Sequence, residues 1–225
     1  MSLMEFRVAG NKSSIELREL VIAGWSGRDR EMVEKHIQEL EAIGVLRPRS
    51  TPVFYRVGVN LLSTTTKHDV VGTASSGEAE VVLISMLDGV FVGVGSDHTD
   101  RQVETYNIVV AKQMCPKPIS QELWPLSQLM HHWDQLELRS WVTDGGQKRL
   151  YQEGRMASLL APAELIRRFQ GGDKQLEPGT AMFTGTLPVI GKIAGGEIFE
   201  MELFDPLNGA RLTHQYTLRH LPWAQ

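Results

Sequence analysis

The stretch Gly77-Glu78-Ala79-Glu80-Val81-Val82-Leu83-Ile84 sets two acids one residue apart inside an apolar, β-branched run. Such a run reads as a strand. Side chains on a strand alternate faces, so Glu78 and Glu80 project from the same one. Their Cβ atoms then stand only about 7 Å apart. Two like charges that close raise each other's pKa, and one takes up a proton unless a cation intervenes. A hard divalent ion that accepts oxygen ligands, such as Mg²⁺ or Ca²⁺, is the natural cation. A third carboxylate, Asp97, follows in Gly93-Val94-Gly95-Ser96-Asp97-His98-Thr99-Asp100-Arg101. The three acids predict a carboxylate-held metal site. The bland alternative is a solvent-facing stripe of acids on an edge strand.

Outward from this stretch the pattern stays rich in strands. Residues 54–60 and 90–94 read as strands, and the polar Ser-Thr stretch over 63–67 reads as a loop. Leu136, Leu138, Ser140 and Val142 alternate with polar or larger neighbours, and Asp144-Gly145-Gly146 is a hairpin signal. Phe199, Met201 and Leu203 alternate with Glu200 and Glu202 as a half-buried antiparallel strand. Asp205-Pro206-Leu207-Asn208-Gly209 turns it into a last strand over 211–218. Residues 123–133 read as a short helix, and Pro162 and Gly171 frame another over 163–170. Near the N-terminus, 6–8 and 16–24 read as short strands. Over 29–43 the residues Met32, Val33, His36, Ile37, Leu40 and Ile43 recur at helical spacing, with Ser26 or Asp29 as cap and Gly44 as stop. This organisation divides the chain into a segment 1–52 with one amphipathic helix and a body 53–225. The regular strand-helix alternation of a doubly wound sheet is missing, so the expected class is α+β and strand-rich.

A chain of 225 residues can bury a sizeable core, and 42% apolar with 22% charged residues is ordinary for a globular protein. A net charge of −4 without any basic cluster gives no footprint for nucleic acid. No apolar run approaches the ~18 residues of a membrane span, and the N-terminus lacks the layout of a secretory signal. Met1-Ser2-Leu3 before Met4 reads as a cloning remnant. One cysteine, Cys115, excludes an intrachain disulfide and fits a reducing compartment, so a cytoplasmic protein is expected.

Other chemistries find little support. Gly93-Val94-Gly95 is too short for a dinucleotide fingerprint, and neither a phosphate-binding P-loop nor a G-x-S-x-G elbow occurs. Cys115 has no base beside it in sequence and reads as packing. His131 and His132, adjacent on an expected helix, would face about 100° apart, a poor geometry for one metal. His98, next to Asp97, would point away from the metal and could line a cleft.

In order and approximate spacing, Glu78-Ala79-Glu80, Asp97-His98-Thr99-Asp100-Arg101 and Ala111-Lys112 resemble three motifs of the fumarylacetoacetate hydrolase superfamily: E-x-E, D-x-T-x-R-D and A-K-x-x-D-x-x-x-P. The resemblance continues through Leu138-Arg139-Ser140-Trp141-Val142, Leu160-Ala161-Pro162-Ala163-Glu164-Leu165-Ile166 and Leu176-Glu177-Pro178-Gly179-Thr180. It ends at Phe183-Thr184-Gly185-Thr186 and Gly195-Gly196-Glu197, and covers about residues 57–218. The run Gly95-Ser96-Asp97-His98-Thr99-Asp100-Arg101 is similar to that of a bacterial subgroup within or beside that superfamily.

The resemblance implies a mixed β-sandwich roll, a homodimer, and a bound Mg²⁺, Ca²⁺ or Mn²⁺ ion. The implied substrate is a small 2-oxo or 1,3-dioxo acid that is hydrolysed at a C–C bond, decarboxylated, isomerised or dehydrated. Glu78, Glu80 and Asp97 match the metal ligands, Lys112 the site lysine and Arg101 a site arginine. Glu104 falls where some members carry a glutamine that positions water or substrate. Thr184, Gly185 and Thr186 match a loop that approaches the substrate carboxylate. One departure bears on mechanism. Many members carry G-x-N-Y-x-x-H-x-x-E, whose histidine and glutamate activate water. Here Thr64 and Lys67 stand in those places within Gly58-Val59-Asn60-Leu61-Leu62-Ser63-Thr64-Thr65-Thr66-Lys67, with His68 and His98 as possible substitutes. Trp25, Arg28 and Asp29 could close over the site. The leading expectation is therefore a metal-dependent enzyme acting by enolate stabilisation. The alternatives are a non-catalytic oxo-acid sensor that keeps fold and metal, and an oligomeric structural protein with surface acids.

Overall fold

The structure, a computed structural model, describes residues 1–41 and 47–224. β1 (Ser2–Val8) and β2 (Asn11–Leu17) form an antiparallel hairpin closed by Ala9 and Gly10, both at positive φ. β3 (Glu19–Gly24) leads into α1 (Arg30–Glu41), which Asp29 caps by accepting the backbone N–H groups of Glu31 and Met32. The expected helix residues past Glu41, and the Gly44 stop, lie outside the described residues. β4 (Val53–Val57) returns antiparallel to β3 and ends in a 3₁₀ turn over Val59–Leu61. Then come β5 (Leu62–Ser63), β6 (Lys67–Val71), β7 (Ser75–Ser76), β8 (Ala79–Met86), β9 (Gly89–Ser96) and β10 (Thr99–Asp100). Two short helices, α2 (Arg101–Glu104) and α3 (Ile108–Gln113), precede β11 (Lys117–Pro118) and β12 (Glu122–Pro125).

Residues 123–133 depart from expectation. They are the end of β12, a single turn α4 (Leu126–Leu129), and the start of a 3₁₀ turn at Trp133. Pro125 is the reason. It cannot sit inside a helix, and the residue before it, Trp124, is pushed to extended geometry and pairs with Val92. The chain continues with the hairpin β13 (Glu137–Asp144) and β14 (Gln147–Arg155), whose Gly145 and Gly146 both take positive φ as a two-residue turn requires. α5 (Pro162–Gln170) starts on Pro162 and stops at left-handed Gly171. β15 (Thr180–Thr186), β16 (Ile198–Phe204) and β17 (Arg211–Leu221) complete the fold.

The strands make an eight-stranded sheet in the order β2-β1-β12-β9-β8-β15-β3-β4 and a five-stranded sheet in the order β14-β13-β16-β17-β6. Strands from residues 2–24 are members of the larger sheet, with β3 parallel to β15. β8 is interior, and its side chains alternate between two cores. Ala79, Val81 and Leu83 pack between the sheets with Leu138, Val142, Met201 and Tyr216. Val82, Ile84 and Met86 pack on the opposite face with Phe6, Ile22, Ile119 and Phe183. Burial on both faces explains why the run is continuously apolar. Each fully buried Val, Leu or Ile contributes about 1.5–3 kcal/mol, enough collectively to carry one awkward acid in the same strand.

Candidate metal centre

Antiparallel pairing of β8 with β9 sets Ala79 opposite Ser96 and Glu80 opposite Gly95, so Asp97 arrives beside both glutamates. The Asp97 N–H donates to Glu78 O at 2.9 Å and fixes the approach. Oxygens of Glu78, Glu80 and Asp97 all lie within 4.8 Å of one another. Gly95 makes room, because a Cβ there would stand 2.7 Å from Val82 and 2.9 Å from Pro118 O. Glu80 is 2% exposed and Asp97 fully buried, which overturns the solvent-stripe alternative. Only an interior strand with both neighbours in place could do this.

The run from Ser96 to Arg101 is a set of fixings around these acids. Ser96 Oγ accepts the Glu78 N–H and bonds Tyr216 Oη at 3.0 Å. Thr99 Oγ1 donates to Asp97 O at 3.0 Å, and Asp100 caps α2 through the Val103 N–H. Arg101 reaches Ser76 Oγ at 2.7 Å, Glu104 at 2.8 Å and Glu78 at 3.1 Å. Asn107 caps α3, which turns Lys112 inward onto Asp97 Oδ2, with Glu78 3.9 Å away. The cluster opens to solvent on the side of Glu78, Arg101 and Glu104.

Thr184, Gly185 and Thr186 end β15 where its register with β8 breaks. The Gly185 N–H donates to Glu80 Oε2 at 2.7 Å. Thr184 and Thr186 donate their hydroxyls to Val81 O and Ala79 O, at 3.0 and 2.9 Å. The segment is a strand end that grips the metal-site strand rather than a free loop. Gly185 has a φ of 100°, and a Cβ there would fall 1.8 Å from Ser26 Oγ, so no other residue fits without rearrangement.

Burial, then the charges of Asp97 and Glu78, raise Glu80 well above the ordinary carboxylate value. Burial also works against charge on Asp97, but Lys112 and Lys117 outweigh it and hold that acid below its usual value. Lys112 loses to burial and gains more from Asp97 and Glu78, so it stays firmly protonated. Asp97 is thus already neutralised by lysines, while Glu80 accepts one backbone N–H and makes no ion pair among the described residues.

His98 does turn away from the acids, and it is 1% exposed. Its Nδ1 meets Tyr216 Oη at 2.9 Å and its Nε2 has no partner among the described residues. His68 packs edge-on against the same Tyr216, 5.6 Å away, and bonds Thr65 O. Of Trp25, Arg28 and Asp29, only Trp25 reaches toward the site: its Nε1 donates to Tyr55 Oη, and Lys112 Nζ lies 5.8 Å over the Tyr55 ring. Arg28 instead clamps Asp134, and Asp29 caps α1. Trp25, Arg28, Val33, Ile37 and Arg168 line a cavity of about 480 Å³.

Lys117 was not anticipated. It is fully buried, donates to His98 O, Lys112 O and Cys115 O at 2.7, 2.5 and 3.0 Å, and stands 3.5 Å from Asp97 Oδ1. Its sequence signal was only a lysine set between two prolines. Gln152, also fully buried, joins β14 to the site by accepting the Ala79 N–H and donating to Thr186 Oγ1. Such long-range partners leave no local pattern.

The residues fit a hard divalent ion. Three carboxylates converge without sulfur or imidazole, the donor set of Mg²⁺, Ca²⁺ or Mn²⁺. A buried carboxylate that must otherwise hold a proton is the local demand such an ion would meet.

Fold and site define a strand-rich α+β protein with a carboxylate triad on its central sheet, Glu80 and Asp97 buried and Glu78 partly so. The chain belongs to the family described as "Protein of unknown function (DUF2848)", whose model matches residues 23–216. No curated protein matches it. Among solved structures it is similar to a protein from Oleispira antarctica described as a candidate fumarylacetoacetate isomerase/hydrolase, at 17% identity and a TM-score of 0.69, covering 96% of this chain and 100% of that one. It is also similar to a yeast fumarylacetoacetate hydrolase family protein, at 18% identity and a TM-score of 0.64, covering 92% and 95%. A third is 5-carboxymethyl-2-hydroxymuconate delta-isomerase from Mycobacterium smegmatis, at 16% identity and a TM-score of 0.62, covering 96% and 85%. At these identities the likeness is one of fold: the chain has the fold of fumarylacetoacetate hydrolase family proteins. No described helix is long and apolar enough to cross a membrane.

Proposed function

We propose that this protein is a metal-dependent enzyme acting on a small 2-oxo or 1,3-dioxo acid, with Glu78, Glu80 and Asp97 holding the ion. The observation that carries the reading is Glu80, an acid buried on a central strand against two other acids and without an ion-pair partner among the described residues. A divalent ion bound there supplies Lewis acidity toward the oxygens of an oxo acid and favours its enolate.

The chain's own residues do the rest. Asp97 is held in its charged form by Lys112 and Lys117, ready to ligate. Lys112 has three N–H donors and spends one on Asp97, leaving others for an anionic oxygen. Arg101 offsets Glu78 and Glu104 at the open edge, so that an anion can approach. Gly185, Thr184 and Thr186 keep Glu80 aimed. The described structural relatives, an isomerase and hydrolases among them, support chemistry of this kind. The run from Gly95 to Arg101 is read as the mark of a subgroup, and a cytoplasmic homodimer is part of the same proposal.

A second reading, a non-catalytic oxo-acid sensor, is favoured by Thr64 and Lys67, which stand where the superfamily's water-activating histidine and glutamate would be. The two separate in one experiment. Metal content is measured for wild type and Glu80→Ala, and 2-oxo acids are screened for turnover and for thermal stabilisation. Both readings expect metal-dependent stabilisation that Glu80→Ala loses; only the enzyme consumes substrate. A protein that takes up no divalent ion, with Glu80→Ala indistinguishable from it, sinks both.

A further inference from the structure

His131 and His132 were poor metal ligands as neighbours on a helix, but they are not on one. α4 ends at Leu129, and His132 leaves helical geometry at φ −135° and ψ 20°. That break folds the two rings onto each other, with centroids 4.3 Å apart and His131 Nε2 3.1 Å from His132 Nδ1. His132 Nε2 lies 3.0 Å from Asp205 Oδ2 in the turn between β16 and β17, both groups buried. The two atoms are at ion-pair distance, and neither makes a hydrogen bond among the described residues. Asp205 Oδ1 is held by the Leu207 N–H at 2.9 Å.

We infer that His131 and His132, oriented by Asp205, form a bidentate imidazole site for a borderline divalent transition ion of the Cu²⁺, Ni²⁺ or Zn²⁺ class. Three features carry this. The 3.1 Å gap between ring nitrogens is close to the bite of two imidazoles on one ion, given metal–nitrogen bonds of about 2.0–2.1 Å. A carboxylate 3.0 Å from the far nitrogen favours the tautomer with the His132 proton on Nε2, which frees the Nδ1 lone pair, the arrangement that accompanies ligating histidines. His131 is exposed, so an ion can reach the pair, and by moving its own proton from Nε2 to Nδ1 it presents a second lone pair without any net proton loss. The remaining coordination positions open to water.

This centre is separate from the carboxylate cluster. Tyr216, which bonds Ser96 beside the acids, pairs with Phe199, whereas Asp205 follows the far end of β16. Six residues of strand put the two about 20 Å apart. The donor sets also differ: oxygen at one, nitrogen at the other. The inference stands independently of the proposed activity.

The probe is Cu²⁺, the tightest-binding of the class, added at less than one equivalent to the full-length protein. The coordinating atoms are read by electron paramagnetic resonance and the affinity by calorimetry. Wild type is expected to show two coupled nitrogens and His131→Ala one. Asp205→Asn, isosteric and so expected to fold, is expected to weaken binding roughly 10–100-fold. An all-oxygen signature in wild type means that the ion went to the carboxylate cluster and overturns the inference. So does a two-nitrogen signature that survives in His131→Ala, or an affinity unmoved by Asp205→Asn.

Discussion

Glu80 Oε2 accepts the backbone N–H of Gly185 at 2.7 Å, a bond that crosses from β8 to β15 where their register breaks. The acid at the centre of the candidate site is thus aimed by main chain, and by a residue that only glycine can supply. That single contact ties the E-x-E strand to the T-G-T strand and makes their association one structural unit.

Gly185→Ala is expected to cost more than the about 1–3 kcal/mol of a strained φ, because its Cβ would also collide with Ser26 Oγ. Adding Ser26→Gly should recover the collision but not the strain. Urea denaturation of the single and double variants measures both parts; a Gly185→Ala protein as stable as wild type contradicts the geometry.

The proton on Glu80 gives a pH signature to the metal-free protein. Its folded pKa is raised, so the associated stability is full below the unfolded value of about 4.3 and falls as pH rises through the folded value. Asp97 acts oppositely, contributing above its unfolded value of about 3.9 and losing that as pH falls. Glu80→Gln should therefore flatten the decline toward higher pH and leave the acid limb intact. Denaturation in chelator from acidic to mildly alkaline pH reads this directly.

Metal and proton compete for Glu80, so divalent-ion affinity should rise with pH. At a hundredfold excess over Kd the ion should stabilise wild type by about 2.7 kcal/mol, an effect that Glu80→Gln loses. Thermal melts with and without Mg²⁺ or Mn²⁺ at two pH values check it. Equal gains at both pH values would argue against a shared proton and metal position.

Lys117→Met is expected to destabilise more than Lys112→Met. Either change removes one partner from a buried ion pair, a loss of about 3–5 kcal/mol. Lys117 additionally leaves three buried carbonyls without their donor, whereas Lys112 leaves Asp97 with Lys117 still 3.5 Å away. Comparing their urea midpoints decides the order.

Cys115 is 2% exposed, and burial pushes its thiol up to about 11. It should resist thiol-specific reagents at pH 8 in the native protein and react fully once unfolded. Rapid native labelling would show that the segment opens.

Local chemistry made much of this legible in advance. The Asp144-Gly145-Gly146 hairpin, the Pro162 and Gly171 boundaries of α5 and the alternation over Phe199–Leu203 are short-range signals, and each element formed where its signal lay. The helix expected over 123–133 does not form because Pro125 holds its neighbours extended, and apolar content alone does not separate a buried strand from a helix. β2 was missed because its exposed, polar Asn11-Lys12-Ser13-Ser14 carries no core pattern. At the site, Glu78, Glu80, Asp97 and Lys112 do come together, and Arg101 and Glu104 stand beside them.

What the sequence by itself determined is which side chains share a face and where strands turn, since both follow from backbone periodicity and from the φ preferences of proline and glycine. Only the tertiary structure decided that β8 is interior, which is what makes Glu80 buried and in need of a cation. It also decided that the Thr184-Gly185-Thr186 segment holds the acid, that His98 packs on Tyr216, and that Lys117 and Gln152 belong to the site. Burial and desolvation depend on what lies across the sheet, and residues far apart in the chain supply that.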